Sequence, residues 1–350
     1  MQSARPRNFN LPYQQYDNYW VILFAKKGAF PASLANALQG IGYRNTAEGV
    51  SLAQTEQNWS VLWKKTYEIL QNAQFIDAVE VTLTADDSLI DGRGERKSVA
   101  RVQEIAGSLW LGDALRDGRV MCYFQPIVSG AGSKEASKNF GFESFVRAKA
   151  IDGKIISGGS VVQASKAMNI EYMVDRLLHI QAIKTFAASN NTGFLFINFF
   201  TGFIQRPEVY LEGLRETAKA FGIVPKNLVL EFASGEPARD IKHLKNVCEY
   251  AKMQGYSVAL DDVTDPIYAQ NLIDGIRPDF VKLDVQELGD LGEASVRGNI
   301  RQILELAEAN GGSIIAEGVE TEESYEQLKA LGVSLFQGYL FSAPAPLSAA

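Results

Sequence analysis

The sequence predicts an α/β protein: a (β/α)8 TIM-like barrel preceded by a smaller N-terminal α/β module. Three observations predict it. Between residues 120 and 341, short apolar runs recur at 120–128, 140–146, 194–200, 228–233, 257–263, 280–285, 313–319 and 335–341, each of strand length. Amphipathic stretches of helical length separate most of them, at 207–220, 239–254, 293–310 and 322–331, and such alternation over roughly 250 residues is the size of a closed barrel. No G-x-G-x-x-G or G-x-x-x-x-G-K-[ST] segment follows a strand, which disfavours the competing architecture, an open doubly wound nucleotide-binding sheet.

Taken in order, residues 1–16 are polar and aperiodic and read as a mobile arm. Residues 17–109 read as the small module. Trp20 to Ala25 is a strand, and Pro31 to Leu38 opens like a helix with proline in its first turn. Trp59, Leu62, Trp63, Tyr67 and Leu70 recur at helical spacing, a stripe better suited to core packing than to a ligand cage. Phe75 to Leu83 alternates like a strand, and the charged, glycine-bearing segment 86–97 suits a linker or loop tip. Val99 to Arg116 reads as one helix, with apolar residues at Val102, Ile105, Leu109 and Leu115. It closes the N-terminal part, so the barrel domain takes residues 110–350.

Composition narrows the function. With 46% hydrophobic and 21% charged residues, the chain is of ordinary globular type. No apolar run approaches the roughly 18 residues of a membrane span, and the first residues lack the apolar core of a signal peptide. A cytoplasmic protein is the expectation. Cys122 and Cys248 each lie in an apolar segment, which argues against a disulfide framework or a cysteine zinc site. A net charge of −7 argues against a nucleic-acid polymer or an anionic membrane as the main partner. A small anionic ligand fits if metal ions bring the positive charge.

The polar residues near the strand ends form a series: Gln125, Glu143, Asn198, Glu231, Asp261 with Asp262, Lys282 with Asp284, Glu317 and Gln337. In a barrel those ends share one rim, where barrel enzymes keep their active sites. The plain alternative is that each acid caps the following helix; that would not call for an asparagine, a glutamine and a lysine in the same series. Carboxylates crowded around one lysine need added cations to stay ionised. All-oxygen donors select hard ions, so Mg2+ or Mn2+ is expected. Adjacent Asp261 and Asp262 suit two ions roughly 3.5–4 Å apart, the arrangement of phosphodiester hydrolysis. Lys282 is then placed to orient or deprotonate the attacking water, and Arg147 to clamp a phosphate. His179 and His243 sit in helical stretches and read as surface residues.

These segments resemble the EAL domain, the phosphodiesterase family that linearises the bacterial second messenger cyclic di-GMP. The resemblance covers about residues 110–346. Tyr123-Phe124-Gln125-Pro126-Ile127-Val128 is similar to the family's opening strand, and Glu143-Ser144-Phe145 stands where the name-giving Glu-Ala-Leu would be, followed by Val146-Arg147. Ile197-Asn198, Glu231, Val281-Lys282-Leu283-Asp284, Ala316-Glu317-Gly318-Val319-Glu320-Thr321 and Gln337-Gly338-Tyr339 follow in the family's order. The resemblance implies a barrel of the EAL type with an antiparallel first strand, two divalent ions per site and hydrolysis to linear pGpG. It implies Glu143, Asn198, Glu231, Asp261 and Asp262 as metal ligands, with Asp262, Lys282 and Glu317 in the catalytic set. Gln125, Arg147, Asp284, Glu320, Gln337 and Pro344 would line the ligand groove, and a homodimer formed near the loop after Asp262 is the assembly it suggests.

The departures bear on activity. Where family members continue with Phe-Gly-x-Gly, this chain has Val263-Thr264-Asp265-Pro266, and without glycine the loop is expected to take another path. Ser234 replaces a glutamate that braces the loop in active relatives, and Phe145 replaces the leucine of the name motif. Three functions therefore stand at this point: an active cyclic di-GMP phosphodiesterase, a receptor that binds the dinucleotide without cutting it, and a nucleotide-free protein-interaction scaffold.

Overall fold

The computed structural model describes residues 19–47, 49–55, 58–86, 89, 94–130, 138–189, 191–200, 206–233 and 241–347. The arm at 1–16, part of the 86–97 segment and Ser234 lie outside them. The elements run β1 (Tyr19–Ala25), α1 (Ala32–Gln39), β2 (Arg44–Ala47), β3 (Val50–Thr55), α2 (Trp59–Asn72), β4 (Val79–Thr84), β5 (Lys97–Ser98), α3 (Val99–Ser108), α4 (Trp110–Arg116), β6 (Val120–Ser129), β7 (Lys138–Lys149), β8 (Ile155–Ile156), α5 (Gly158–Met168) and α6 (Glu171–Ala188). There follow β9 (Phe194–Asn198), α7 (Pro207–Ala220), β10 (Leu228–Ala233), α8 (Ile241–Met253), β11 (Ser257–Asp261), α9 (Pro266–Ile276), β12 (Phe280–Asp284), α10 (Val285–Leu288), α11 (Ala294–Ala309), β13 (Ser313–Glu317), α12 (Glu322–Ala330) and β14 (Leu335–Phe336).

They divide into two compact units, and the division is not a single cut. The first takes the chain up to Val120 together with Ala148–Glu171; the second takes Met121–Arg147 and everything from Tyr172 onward. In the first unit an antiparallel sheet runs in the order β2-β3-β1-β4-β5. Both faces of β1 are buried, so it reads as a continuous apolar run rather than an alternation. Trp59, Trp63 and Leu70 of α2 are buried, the core role expected of that stripe. Helix α3 packs on α2 and on α5, and Arg101 of α3 donates to the Ala167 carbonyl at 2.8 Å, satisfying an orphan acceptor at the end of α5.

Three local readings change in this unit. Pro31 is the residue before α1 rather than in its first turn. Residues Ile76–Ala78 form a 3-10 turn, and the strand begins only at Val79. The stretch 99–116 is two helices meeting at Leu109, with Val102, Ile105, Leu109 and Leu115 all buried.

The second unit holds the barrel. Its strands follow one another as β6-β14-β13-β12-β11-β10-β9-β7, and pairing of β6 with β7 closes the ring. The pairs from β7–β9 to β13–β14 are parallel. β14 meets β6 antiparallel, so the first strand runs against its neighbour as the resemblance implied.

Period-two alternation builds the interior in two tiers. The lower tier is apolar: Ile127, Phe196, Val229, Ala259, Phe280, Ile315 and Leu335 form one buried cluster, with Phe140 and Phe194 packed against it. Two residues further along the same strands, hence on the same face, stand Asn198, Glu231, Asp261, Lys282 and Glu317, with Gln337 just beyond β14. On β6 the order is reversed, Gln125 preceding Ile127, because that strand runs the other way. On β7 the residue below Glu143 is Gly141, where a Cβ would lie 2.6 Å from the Phe194 carbonyl oxygen and 3.1 Å from the Phe196 ring. Glycine there makes room for the phenyl floor. The outward faces of the strands, including Leu195, Leu230, Val258, Val281 and Ile314, pack under the helices.

Candidate functional site

The upper tier converges on one ammonium group. Lys282 is fully buried, and its Nζ lies 3.0 Å from Glu143 Oε2, 2.9 Å from Glu231 Oε1, 3.1 Å from Asp261 Oδ1 and 3.0 Å from Glu317 Oε2. An ammonium has three protons to give, so four carboxylates cannot all be satisfied by it. Both oxygens of Glu231 and Asp261 Oδ1 are accordingly buried without a well-directed hydrogen bond. Asn198 donates from Nδ2 to Glu143 Oε1 at 3.1 Å. Gln337 donates from Nε2 to Glu143 Oε2 at 2.8 Å and to Gln125 Oε1 at 3.0 Å, and Gln125 donates in turn to the Ser342 carbonyl at 2.9 Å.

Charge in this cluster is out of balance. Burial alone would strip Lys282 of its proton, but the charges of Asp261, Glu143, Glu231 and Glu317 outweigh it and hold the lysine well above its usual pKa. Burial and the neighbouring Glu143 push Glu231 well above the carboxylate range despite Lys282. Glu317 is pushed up too, by burial and against the pull of Lys282. Asp261 resists its burial because Lys282 and hydrogen bonds hold it below the ordinary value. Asp262 is pushed up to about 6 by burial and by the charge of Asp261. Acids driven to keep their protons beside a lysine mark a site short of positive charge.

A divalent ion fits that shortage. One oxygen each from Asp261, Asp262 and Glu317 lie within 4.8 Å of one another, the donors are all oxygen, and Glu231 has buried lone pairs to spare. The two aspartates face one object because Asp262 turns left-handed, φ 56°, a conformation Asp tolerates better than most residues. That single turn also resolves the loop without glycine. Val263 is buried, its N–H donating to the Lys282 carbonyl at 3.1 Å, and Asp265 caps α9 by accepting from Ile267 N–H at 2.8 Å, with Pro266 opening the helix.

Other predicted residues lie outside the cluster. Asp284 serves as a helix cap, accepting from Gln286 N–H at 2.8 Å. Arg147 is half-buried, donating to the Val146 carbonyl at 2.8 Å with its guanidinium 5.9 Å from the Tyr123 ring centroid and 5.8 Å from that of Phe145. Glu320 is exposed after the turn at Gly318. Pro344 is half-buried in the tail that pairs with β6 through Ala345 and Phe124.

His179 corrects the sequence reading. It is 4% exposed, not a surface residue, and its ring bonds the carbonyl of Asn198. The signal was present: Val174, His179, Ala182, Ile183 and Phe186 share the buried face of α6, at the spacing of a core stripe.

Comparison with known proteins agrees with this architecture. The EAL domain family model matches residues 109–344. The probable cyclic di-GMP phosphodiesterase PdeI of Escherichia coli is 26% identical over 264 residues, covering 71% of this chain and 32% of PdeI. PdeG of the same organism, also named a probable cyclic di-GMP phosphodiesterase, is 27% identical over 236 residues, 66% of this chain and 46% of PdeG. The match thus spans about a third to a half of the length of these curated relatives. Among solved structures, a standalone EAL protein from Vibrio cholerae O395 in its c-di-GMP-bound form shares 29% identity at TM-score 0.57, over 65% of this chain and 92% of that one. The EAL-domain protein YkuI of Bacillus subtilis, in complex with substrate c-di-GMP and calcium, shares 25% at TM-score 0.58, over 67% and 58%. The EAL enzyme Bd1971 in its cAMP-bound form aligns with 96% of this chain and 94% of its own, at 16% identity and TM-score 0.63, a likeness of fold alone. With the family model matching well over half its length and the barrel closed as described, the chain belongs to the EAL domain family.

Proposed function

We propose that this chain hydrolyses cyclic di-GMP to linear pGpG with two divalent ions, Mg2+ or Mn2+, held at the barrel mouth. One observation carries the reading: side chains from separate strands meet around Lys282 with more buried carboxylate than its single charge can satisfy. Glu143, Asn198, Glu231, Asp261 and Asp262 are the residues that would hold the ions. When bound, such ions stabilise charge on the attacking and leaving oxygens of a phosphodiester.

The chain's own groups supply the rest. Lys282, at the centre of the cluster, is the group placed to orient or deprotonate the attacking water. Glu317, 3.0 Å from Lys282 Nζ, completes the catalytic set with Asp262. Arg147, Gln125, Gln337, Asp284, Glu320 and Pro344 are proposed to line the groove for the dinucleotide. Relatives named as phosphodiesterases and a neighbour described with c-di-GMP bound support this choice of substrate.

A second reading, a receptor that binds without cutting, rests on the loop Val263-Thr264-Asp265-Pro266, which departs from the family's Phe-Gly-x-Gly beside the ion site. Incubating purified protein with cyclic di-GMP and Mn2+ and following linear product by chromatography decides between them. Product is expected; tight binding with none at stoichiometric protein would favour the receptor.

A further inference from the structure

We propose that His179 is a positioning residue for Asn198, setting the direction of its side chain toward the ion site; the inference rests on the metal-binding reading above. The imidazole Nε2 lies 2.8 Å from the Asn198 carbonyl oxygen and Nδ1 lies 2.7 Å from the Tyr210 hydroxyl on α7. A carbonyl oxygen only accepts, so Nε2 carries the proton of that bond. The ring is stacked on Phe199, 2° from coplanar with centroids 5.6 Å apart. Tyr210 is itself tied to Asp175 Oδ2 at 3.2 Å, one turn earlier on α6. Asp175 Oδ1 also lies 3.4 Å from Nε2, and four residues thus fix the plane of one buried ring.

What that ring holds is the peptide unit leaving β9. Its carbonyl belongs to Asn198 and takes the bond from His179; its N–H belongs to Phe199 and donates to the Glu231 carbonyl at 2.8 Å. A peptide is planar, so pinning both ends fixes the backbone on the C-terminal side of Asn198. The direction of its Cα–Cβ bond is fixed with it. The side chain then donates from Nδ2 to Glu143 Oε1 at 3.1 Å, which leaves the amide oxygen for a cation. A purely packing role does not call for a polar ring here, since a leucine would fill the space without a buried polar group to satisfy.

A cavity of about 70 Å3 already adjoins the ring, lined in part by Ile180, Val209 and Leu214, so truncation to alanine would confuse loss of volume with loss of the bond. The test therefore compares His179→Leu, which keeps bulk and removes the donor, with His179→Gln, which keeps an N–H of similar reach. Mn2+ affinity is measured by calorimetry, and melting in EDTA is followed alongside. About a tenfold or greater loss of Mn2+ affinity is expected for the leucine variant, with recovery to within a few fold for glutamine. Equal Mn2+ affinity in wild type and His179→Leu, or an equal loss in both variants, overturns the proposal while leaving the metal reading intact. Wild-type protein that binds no Mn2+ at all overturns both. Should His179→Leu fail to fold, Tyr210→Phe decides: a several-fold loss of affinity supports the proposal, and unchanged affinity overturns it.

Discussion

Lys282 and Asp262 carry opposite consequences at the level of single residues. Lys282→Met leaves four carboxylates at the mouth without their cation, and removing one partner of a buried charge group costs about 3–5 kcal/mol. The expected result is a large drop in melting temperature in EDTA, partly restored by Mn2+, which binds the folded state and stabilises it by mass action. Lys282→Ala is expected to abolish turnover while leaving dinucleotide binding largely in place, checked by product chromatography beside calorimetry. Asp262 sets a pH limit. Its pKa is raised to about 6, so the folded chain holds a proton there that the unfolded chain has released. That contribution to stability is full below the unfolded value near 4 and is lost as pH rises through 6. For ion binding the sign reverses, because an ion must displace the proton. Asp262 is expected to contribute a fall in Mn2+ affinity of up to about tenfold per pH unit below 6, and Asp262→Asn should make the dependence shallower in titrations at pH 5, 6 and 7.

Among the elements, the turn after β14 is the most constrained. Gly338 has φ 158°, and a Cβ on it would lie 2.0 Å from the Val319 carbonyl oxygen. Gly338→Ala must push the two segments apart and with them Gln337, whose carbonyl accepts from Val319 N–H at 3.1 Å. Loss of more than about 2 kcal/mol in denaturant melts is expected, together with weakened dinucleotide binding. The same turn explains a misreading: 335–341 reads as a strand from its apolar run, but pairing stops at Phe336 and the rest folds into the turn. The barrel strands were legible because their apolar runs face both the floor and the helices. β2 was not, because all four of its residues are exposed. α6 was legible as a helix, but its buried face was not, because polar residues are spread around its circumference and His179 is itself on that face. The site residues on the cluster were legible because polar side chains at the ends of buried strands need a reason to be there. The capping role of Asp284 and the exposure of Glu320 were not, since spacing alone does not say which way a residue at or beyond the strand end turns.

For the whole molecule, the interrupted first unit matters most. The family match begins at residue 109, yet α5 packs on α3, which ends at Ser108. A chain beginning at 109 would expose the buried face of α5, Val161, Ala164 and Met168. Such a truncated chain is expected to melt several degrees lower than the full one and to bind a hydrophobic dye, as differential scanning fluorimetry would show. Among the described residues, no helix is long and apolar enough to cross a membrane.

The separation of floor from mouth along each strand has an evolutionary side. The polar tier stands one pleat above the phenyl and aliphatic packing that secures the cylinder, so exchanges in the upper ring that keep its charges matched can accumulate while the foundation stays intact. Descendants of such a barrel would be free to change that ring in matched pairs, whereas loss of Lys282 alone would be felt by the whole fold.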